Sequence, residues 1–169
     1  MPDPTGSPLA TLLRRLTISR EERLVFVRDD TAALLAKVEI LTAASMFFNI
    51  LAVDEFGGRA GAIRGRGLVD QVIAAAFQVY GDHDPHPGAF DKAAMLLRGI
   101  TQGHPFEDGN KRTGFLTAAL YLDLVGYPLP ARLPVDDVVQ FSLQVSSGML
   151  RDVGKMAAEL ERLWRWDAE

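Results

Sequence analysis

Nine consecutive residues, numbered 104 to 112, hold the side chains of this sequence that are best suited to chemistry. They read His-Pro-Phe-Glu-Asp-Gly-Asn-Lys-Arg. An imidazole can accept a proton from an attacking hydroxyl near neutral pH, and Mg²⁺ commonly binds one or two carboxylates together with phosphate oxygens. The segment therefore predicts a phosphate-handling site, with His104 as the general base and Asp108 as the ligand of Mg²⁺.

The second half of this segment has the composition of an anion site at the start of a helix. Gly109 would let the backbone approach a phosphate, and Asn110 offers side-chain donors. Lys111 and Arg112 add positive charge, and the first N–H groups of a helix have no partner within it. Each residue alone also fits an ordinary turn. Their order in one segment favours phosphate chemistry.

The segment lies between two predicted helices. Residues 90–102 have apolar side chains at helical spacing, and residues 114–125 are apolar nearly all round, which predicts a buried central helix. Between them, Pro105 is expected to keep His104 in an extended backbone conformation. Phe106 is expected to point into the core and to anchor the loop.

The remaining pattern predicts an all-α bundle of about six helices. Thr42 is expected to cap a helix over residues 42–53, and further helices are predicted over 68–80, after Pro134 and near the C-terminus. Residues 1–40 are predicted to form a small N-terminal extension, disordered over residues 1–8 and with the pattern of a short β element over 23–28. Residues 41–169 would form the main domain.

Composition limits the class of protein. The 169 residues are 48% hydrophobic and 24% charged, which suits one domain with a sizeable core. A formal net charge of −4 gives no basic field for nucleic acid, and the absence of cysteine excludes disulfides and thiolate nucleophiles. We find neither an apolar run of transmembrane length nor a secretion signal. We therefore expect a cytoplasmic protein with no membrane or nucleic-acid partner.

The segment resembles the signature of the Fic/Doc family, His-x-Phe-x-(Asp/Glu)-(Gly/Ala)-Asn-(Gly/Lys)-Arg, at every specified position. Weaker similarity to the Doc (death-on-curing) branch extends over residues 40–165. The resemblance implies a Fic-type helical fold, ATP and Mg²⁺ as cofactors, and a base, a magnesium ligand and a phosphate clamp in the motif. These roles fall on His104, on Asp108, and on Gly109, Asn110, Lys111 and Arg112, with Arg112 also counted as catalytic.

Two positions bear on the reaction that the resemblance implies. Fic AMP-transferases have a glycine where this chain has Lys111, and usually a second arginine where it has Phe115. Lys111 is typical of Doc-type proteins and implies transfer of the γ-phosphate of ATP to a protein hydroxyl, as on a threonine of elongation factor Tu. Protein AMP transfer is the alternative. A catalytically silent nucleotide-binding or interaction module is a third hypothesis, which the intact base and metal ligand disfavour.

The resemblance also suggests partners and a docking segment. The glycine- and arginine-rich residues 59–67 correspond to the flap that docks the target segment in Fic-type proteins, with Arg64 and Gly65 as candidate contacts, although a plain linker fits them as well. A Phd-type antitoxin is the expected inhibitor, and a homodimer is a further partner to test. Residues 1–40 would be regulatory or docking, since Thr17 and Glu21 fit part of a family inhibitory pattern from which Glu22 departs.

Overall fold

The computed structural model describes residues 8–59, 63–65 and 67–165, and within these ranges the chain is all-α. The described residues form eight α-helices and one 3₁₀ turn and contain no β-strand. The helices are α1 (Pro8–Arg14), α2 (Arg20–Val25), α3 (Thr31–Phe56), α4 (Leu68–Ala74), α5 (Ala89–Gly103), α6 (Asn110–Leu124), α7 (Val135–Ser146) and α8 (Val153–Trp164). The predicted all-α class is confirmed, and α3 to α8 are the six helices of the main bundle.

Helix α6 is the centre of the bundle, as its apolar composition predicted. Most of its residues are buried, and it packs along α5, with α3 on another side. Gly114 allows the close approach to α5, because a Cβ atom there would lie 2.8 Å from Thr101 Oγ1 and 3.1 Å from the Leu97 carbonyl oxygen. The tight α5–α6 pair fixes both ends of the loop that joins them, and this loop consists of residues 104–109 of the motif.

Helix α3 is longer than the sequence pattern suggested. It begins after Asp30, whose side chain accepts a hydrogen bond from the Ala33 N–H at 3.0 Å, so Thr42 lies inside the helix and the predicted cap at Thr42 is wrong. Residues Thr31–Glu55 are also long and apolar enough to cross a membrane, contrary to our expectation. One face of α3, including Leu41 and Phe48, is fully buried in the bundle, and a long core helix has the same length and composition.

The predicted β element at residues 23–28 is wrong, because α2 covers Arg20–Val25. Ser19 and Glu22 form a reciprocal capping box, in which the Glu22 N–H donates to Ser19 Oγ at 3.1 Å and the Ser19 N–H donates to Glu22 Oε2 at 2.7 Å. This local pattern outweighs the apolar alternation that suggested a strand. The disorder predicted for residues 1–8 falls largely outside the described residues.

The N-terminal helices pack on the bundle. Phe26 is buried and its ring lies 6.3 Å from the ring of Tyr121 on α6, while Arg23 Nη1 lies 3.3 Å from Asp123 Oδ2. Helix α3 continues without interruption through residue 40. The domain boundary at that residue stays a prediction, and it would cut a continuous helix.

Candidate active site

His104 ends helix α5 in an unusual backbone conformation. Its φ of 47° and ψ of 53° are left-handed. Among the residues that the structure describes, no other residue except glycine has a positive φ. The extended conformation predicted from Pro105 is therefore wrong. The His104 N–H caps the helix by donating to the Ile100 carbonyl oxygen at 3.2 Å. A left-handed residue commonly ends a helix, and histidine tolerates this region better than most residues. The imidazole is exposed at the cleft described below.

Phe106 and Asn110 hold the motif loop closed. The Phe106 side chain is fully buried in the core. The Asn110 amide makes two hydrogen bonds with the Phe106 backbone: Nδ2 donates to the carbonyl oxygen at 2.9 Å, and Oδ1 accepts from the N–H at 3.1 Å. The Asn110 side chain thus stabilises the loop itself. A contact from Asn110 to phosphate stays a prediction.

Gly109 begins helix α6 as a left-handed N-cap, with φ of 75° and no side-chain cap hydrogen bond. A Cβ atom at this position would lie 3.1 Å from both Asn49 Nδ2 and Val53 Cγ2 on α3. Glycine is therefore required by the neighbouring helix as well as by the backbone angle. The first N–H groups of α6 have no intrahelical acceptors, and Lys111 and Arg112 are exposed beside them. This end of α6 can bind an anion.

Asp108 is held by the residues that follow α3. Its Oδ2 accepts a hydrogen bond from the Arg59 backbone N–H at 2.9 Å. Gly58, with φ of 117°, passes so close that a Cβ atom there would lie 3.1–3.2 Å from Cβ, Cγ and Oδ2 of Asp108. The Arg59 side chain also reaches Glu107 Oε2, at 3.0 Å. The carboxylate of Asp108 is therefore oriented before any ligand binds.

The residues of the predicted flap lie against the motif loop. The Arg64 N–H donates to the Pro105 carbonyl oxygen at 2.9 Å, and Ile63 forms an isolated antiparallel bridge with Phe106. Arg64 is exposed and Gly65 is half-buried. Residues 60–62 and 66 of the flap lie outside the described residues. The described part of the flap is thus held next to the motif.

A cleft of about 580 Å³ joins the motif to helix α7. The motif contributes His104 and residues 107–112, and α7 contributes an opposing wall that is mainly apolar. Phe115 lies in the floor, where it is 2% exposed and its ring is 6.0 Å from that of Trp164. Clefts of this size accommodate small-molecule ligands.

The side chains of the cleft fit a magnesium ion only if phosphate oxygens complete its ligands. Within the described residues, no group of three or more His, Asp or Glu side chains is arranged to hold a metal by itself. Mg²⁺ typically binds one or two carboxylates, substrate phosphates and water. Asp108, at the anion-binding end of α6, would supply the carboxylate of such a site.

The family model described as Fic/DOC family matches residues 32–122, more than half of the chain and all of the motif. The chain belongs to the Fic/DOC family. This Fic/DOC protein is 32% identical over 126 residues to a protein named Toxin Doc from Mycolicibacterium smegmatis, which covers 75% of this chain and 89% of that relative. It is also 32% identical over 72 residues to a Fido domain-containing protein of Dictyostelium discoideum, covering 41% of this chain and 50% of that protein.

The structure shows contacts of three residues with the motif that the sequence analysis did not predict. Gly58 and Arg59 contact Asp108, and Asn49 contacts the start of the anion site. Asn49 had a usable signal, because it is a lone amide within an otherwise apolar stretch of helix. Gly58 had only its place in a glycine pair. The Arg59 contact uses a backbone N–H, which no side-chain pattern could indicate.

Proposed function

We propose that this Fic/DOC-family transferase is a toxin that moves the γ-phosphate of Mg-ATP to a hydroxyl of a protein target. The proposed target is a translation factor such as elongation factor Tu, and a Phd-type antitoxin would neutralise the toxin in the cytoplasm. The relative named Toxin Doc supports the toxin and antitoxin parts of the proposal. The observation that carries the transfer chemistry is that one cleft contains His104, Asp108 and the open end of α6.

Each residue has one task in this reaction. The imidazole of His104 would accept the proton of the target hydroxyl as its oxygen attacks the γ-phosphorus. The bond from that phosphorus to the β,γ-bridging oxygen would break, and ADP would leave with the bonding electron pair. The N–H groups at the start of α6 would bind the phosphate oxygens, and Lys111 and Arg112 would offset the charge that develops during transfer. Asp108 would hold Mg²⁺, which when bound would offset the negative charge of the phosphates and so reduce their repulsion toward the incoming oxygen.

Two positions favour phosphate transfer over AMP transfer. Lys111 places a long charged side chain at the position where a glycine would leave room at the anion site. Phe115 is buried against Trp164 and cannot contact a distal phosphate as an arginine would. The site therefore provides fewer contacts for a nucleotide held in the orientation that AMP transfer requires.

The flap would dock the target. Its backbone already pairs with the motif loop at Ile63 and Arg64, so an extended target segment beside it would bring a hydroxyl close to His104. Arg64 and Gly65 are the proposed contacts. No nucleic-acid or membrane partner is required by this scheme, and the oligomeric state, including a homodimer, does not enter it.

Intact-mass measurement of elongation factor Tu tests the proposal. The purified protein would be incubated with elongation factor Tu and Mg-ATP, with a His104 variant as control. We expect a mass increase equal to one phosphate group, lost in the variant. An increase equal to one adenylyl group would show AMP transfer instead. An unchanged mass would overturn this choice of target.

A further inference from the structure

Asn49 is a fully buried amide in an apolar part of helix α3. Its neighbours, residues 46–53, read Met-Phe-Phe-Asn-Ile-Leu-Ala-Val. Burying an amide without hydrogen bonds costs about 1–3 kcal/mol in proteins, so its bonding partners indicate why it is there. Nδ2 donates to the Asp108 carbonyl oxygen at 2.7 Å and to Thr113 Oγ1 at 3.2 Å. Both acceptors flank the first turn of α6.

The bond to the Asp108 carbonyl sets the direction of the next N–H group. In a planar trans peptide, the carbonyl of residue 108 and the N–H of residue 109 point in opposite directions. Since that carbonyl points toward Asn49 on α3, the Gly109 N–H points away from α3. Gly109 lines the cleft, and a Cβ atom added to it would point toward Asn49 and Val53 on α3. An N–H that points away from α3, at a residue that lines the cleft, is placed to face the cleft.

We infer that Asn49 is a positioning residue for the anion site, because it fixes the 108–109 peptide so that the Gly109 N–H faces the phosphate. It does not touch the ligand itself. The bond to Thr113 ties the same amide to the first turn of α6, so the loop peptide and the helix start keep one relative orientation. The role assigned here rests on the proposed function, since it concerns the binding of the nucleotide phosphates.

Kinetics and binding of Asn49→Leu test this inference. The substitution keeps the side-chain volume approximately and removes the hydrogen bonds to the Asp108 carbonyl oxygen and to Thr113 Oγ1. Ser45→Ala is the matched control, because Ser45 lies one turn earlier on α3, is equally buried, and donates to the Thr42 carbonyl oxygen rather than to the motif. Each protein would be assayed for phosphate transfer from Mg-ATP, for calorimetric binding of Mg-ATP, and for thermal unfolding.

Displacing a hydrogen-bond donor from an oxygen of the transition state commonly lowers the rate by about 100-fold. We therefore expect kcat/KM of Asn49→Leu to fall by about that factor and the binding of Mg-ATP to weaken. Ser45→Ala should keep both. Equal kinetics and binding in Asn49→Leu and wild type would overturn the inference. Equal losses of kcat/KM and binding in Asn49→Leu and Ser45→Ala would also overturn it. So would losses in Asn49→Leu that disappear when the values are corrected for the fraction of folded protein.

Thr113→Val separates a local effect from unfolding. It removes one acceptor of the Asn49 amide and leaves the bond to the Asp108 carbonyl. We expect a smaller loss of kcat/KM than in Asn49→Leu, and an equal or larger loss would contradict the peptide-orientation argument.

Wild-type protein that binds Mg-ATP but transfers no phosphate would refute the proposed function alone. The role of Asn49 would then still be tested by the binding of Mg-ATP to Asn49→Leu. Wild type that binds no Mg-ATP would refute both.

Discussion

At the residue scale, His104 combines an exposed imidazole with a strained backbone. Its left-handed conformation ends α5 at the first residue of the motif loop, and the side chain faces the cleft. Non-glycine residues in this region cost free energy and cluster at functional sites. Sequence reasoning selected the residue from its chemistry but gave the wrong backbone conformation, because the capping bond to Ile100 outweighs the preference imposed by Pro105.

His104→Asn should abolish transfer while preserving the fold. Asparagine tolerates a left-handed backbone and cannot act as a general base, so we expect a loss of at least about 100-fold in kcat with little change in the unfolding temperature. Phosphate transfer from Mg-ATP and thermal unfolding would be measured together. His83→Asn, at another exposed histidine, is the control and should retain full activity. Full activity of His104→Asn would exclude the imidazole as the base.

Gly58→Ala should impair the use of magnesium. The added Cβ atom would lie 3.1–3.2 Å from the Asp108 carboxylate group and displace it. We expect the Mg²⁺ concentration that gives half-maximal activity to rise severalfold. Gly57→Ala is the matched control, since Gly57 also has positive φ, 87°, but nothing lies within 4 Å of its added Cβ atom. Equal Mg²⁺ requirements in the two variants would mean that backbone strain, not Asp108, causes the effect.

At the element scale, the site depends on the α5–loop–α6 unit and on the segment after α3. The sequence predicted the first part well, because helix periodicity and the motif are local patterns. It predicted the second part poorly. The contacts of Asn49, Gly58 and Arg59 with the motif join residues nearly 50 or more positions apart, and one of them uses a backbone N–H. The strand predicted at residues 23–28 failed because its apolar pattern was considered without the Ser19 capping box.

The loop before α5 contains a pH-dependent contact. Burial tends to raise the pKa of Asp84, but hydrogen bonds from Lys92 Nζ at 2.7 Å and from the His86 N–H at 2.9 Å lower it, and the net direction is downward. Asp84 therefore stabilises the fold above its unfolded-state pKa of 3.8, and this contribution is lost as the pH falls through the lower folded-state pKa.

Asp84→Asn should therefore destabilise the protein near neutral pH by about 0.5–1.5 kcal/mol, with a difference from wild type that shrinks as the pH falls below 3.8. Urea unfolding at several pH values would measure the difference. Asp82→Asn, in an exposed position of the same loop, should show a smaller effect near neutral pH. A difference between wild type and Asp84→Asn that grows toward acid pH would contradict the sign of the pKa shift.

At the scale of the whole molecule, the N-terminal helices are part of one packed structure. Leu12 and Phe26 belong to the same core as α5 and α6. Among the described residues, α1 and α2 contribute nothing to the lining of the cleft. We therefore propose that these helices are a docking element and not an inhibitory one. Removing residues 1–40 would cut α3 and expose the core, so it is a poor test of inhibition.

Phe26→Ala tests the same point without truncation. Loss of a buried phenylalanine costs about 3–5 kcal/mol, so we expect a clear fall in the unfolding temperature. Activity per folded molecule should stay unchanged, because α2 lies away from the cleft. Val27→Ala, at a side chain that is 72% exposed, is the control and should change neither quantity. Increased specific activity of Phe26→Ala would show that the N-terminal helices inhibit the enzyme.

We propose above that this Fic/DOC protein transfers the γ-phosphate of ATP to a protein. The most direct measurement is incubation of the purified protein with a bacterial lysate and Mg-ATP labelled in either the α- or the γ-phosphate, with His104→Asn as control. We predict a protein band labelled from γ-labelled ATP alone and absent with the variant. Label arriving from α-labelled ATP would contradict phosphate transfer and establish AMP transfer in its place.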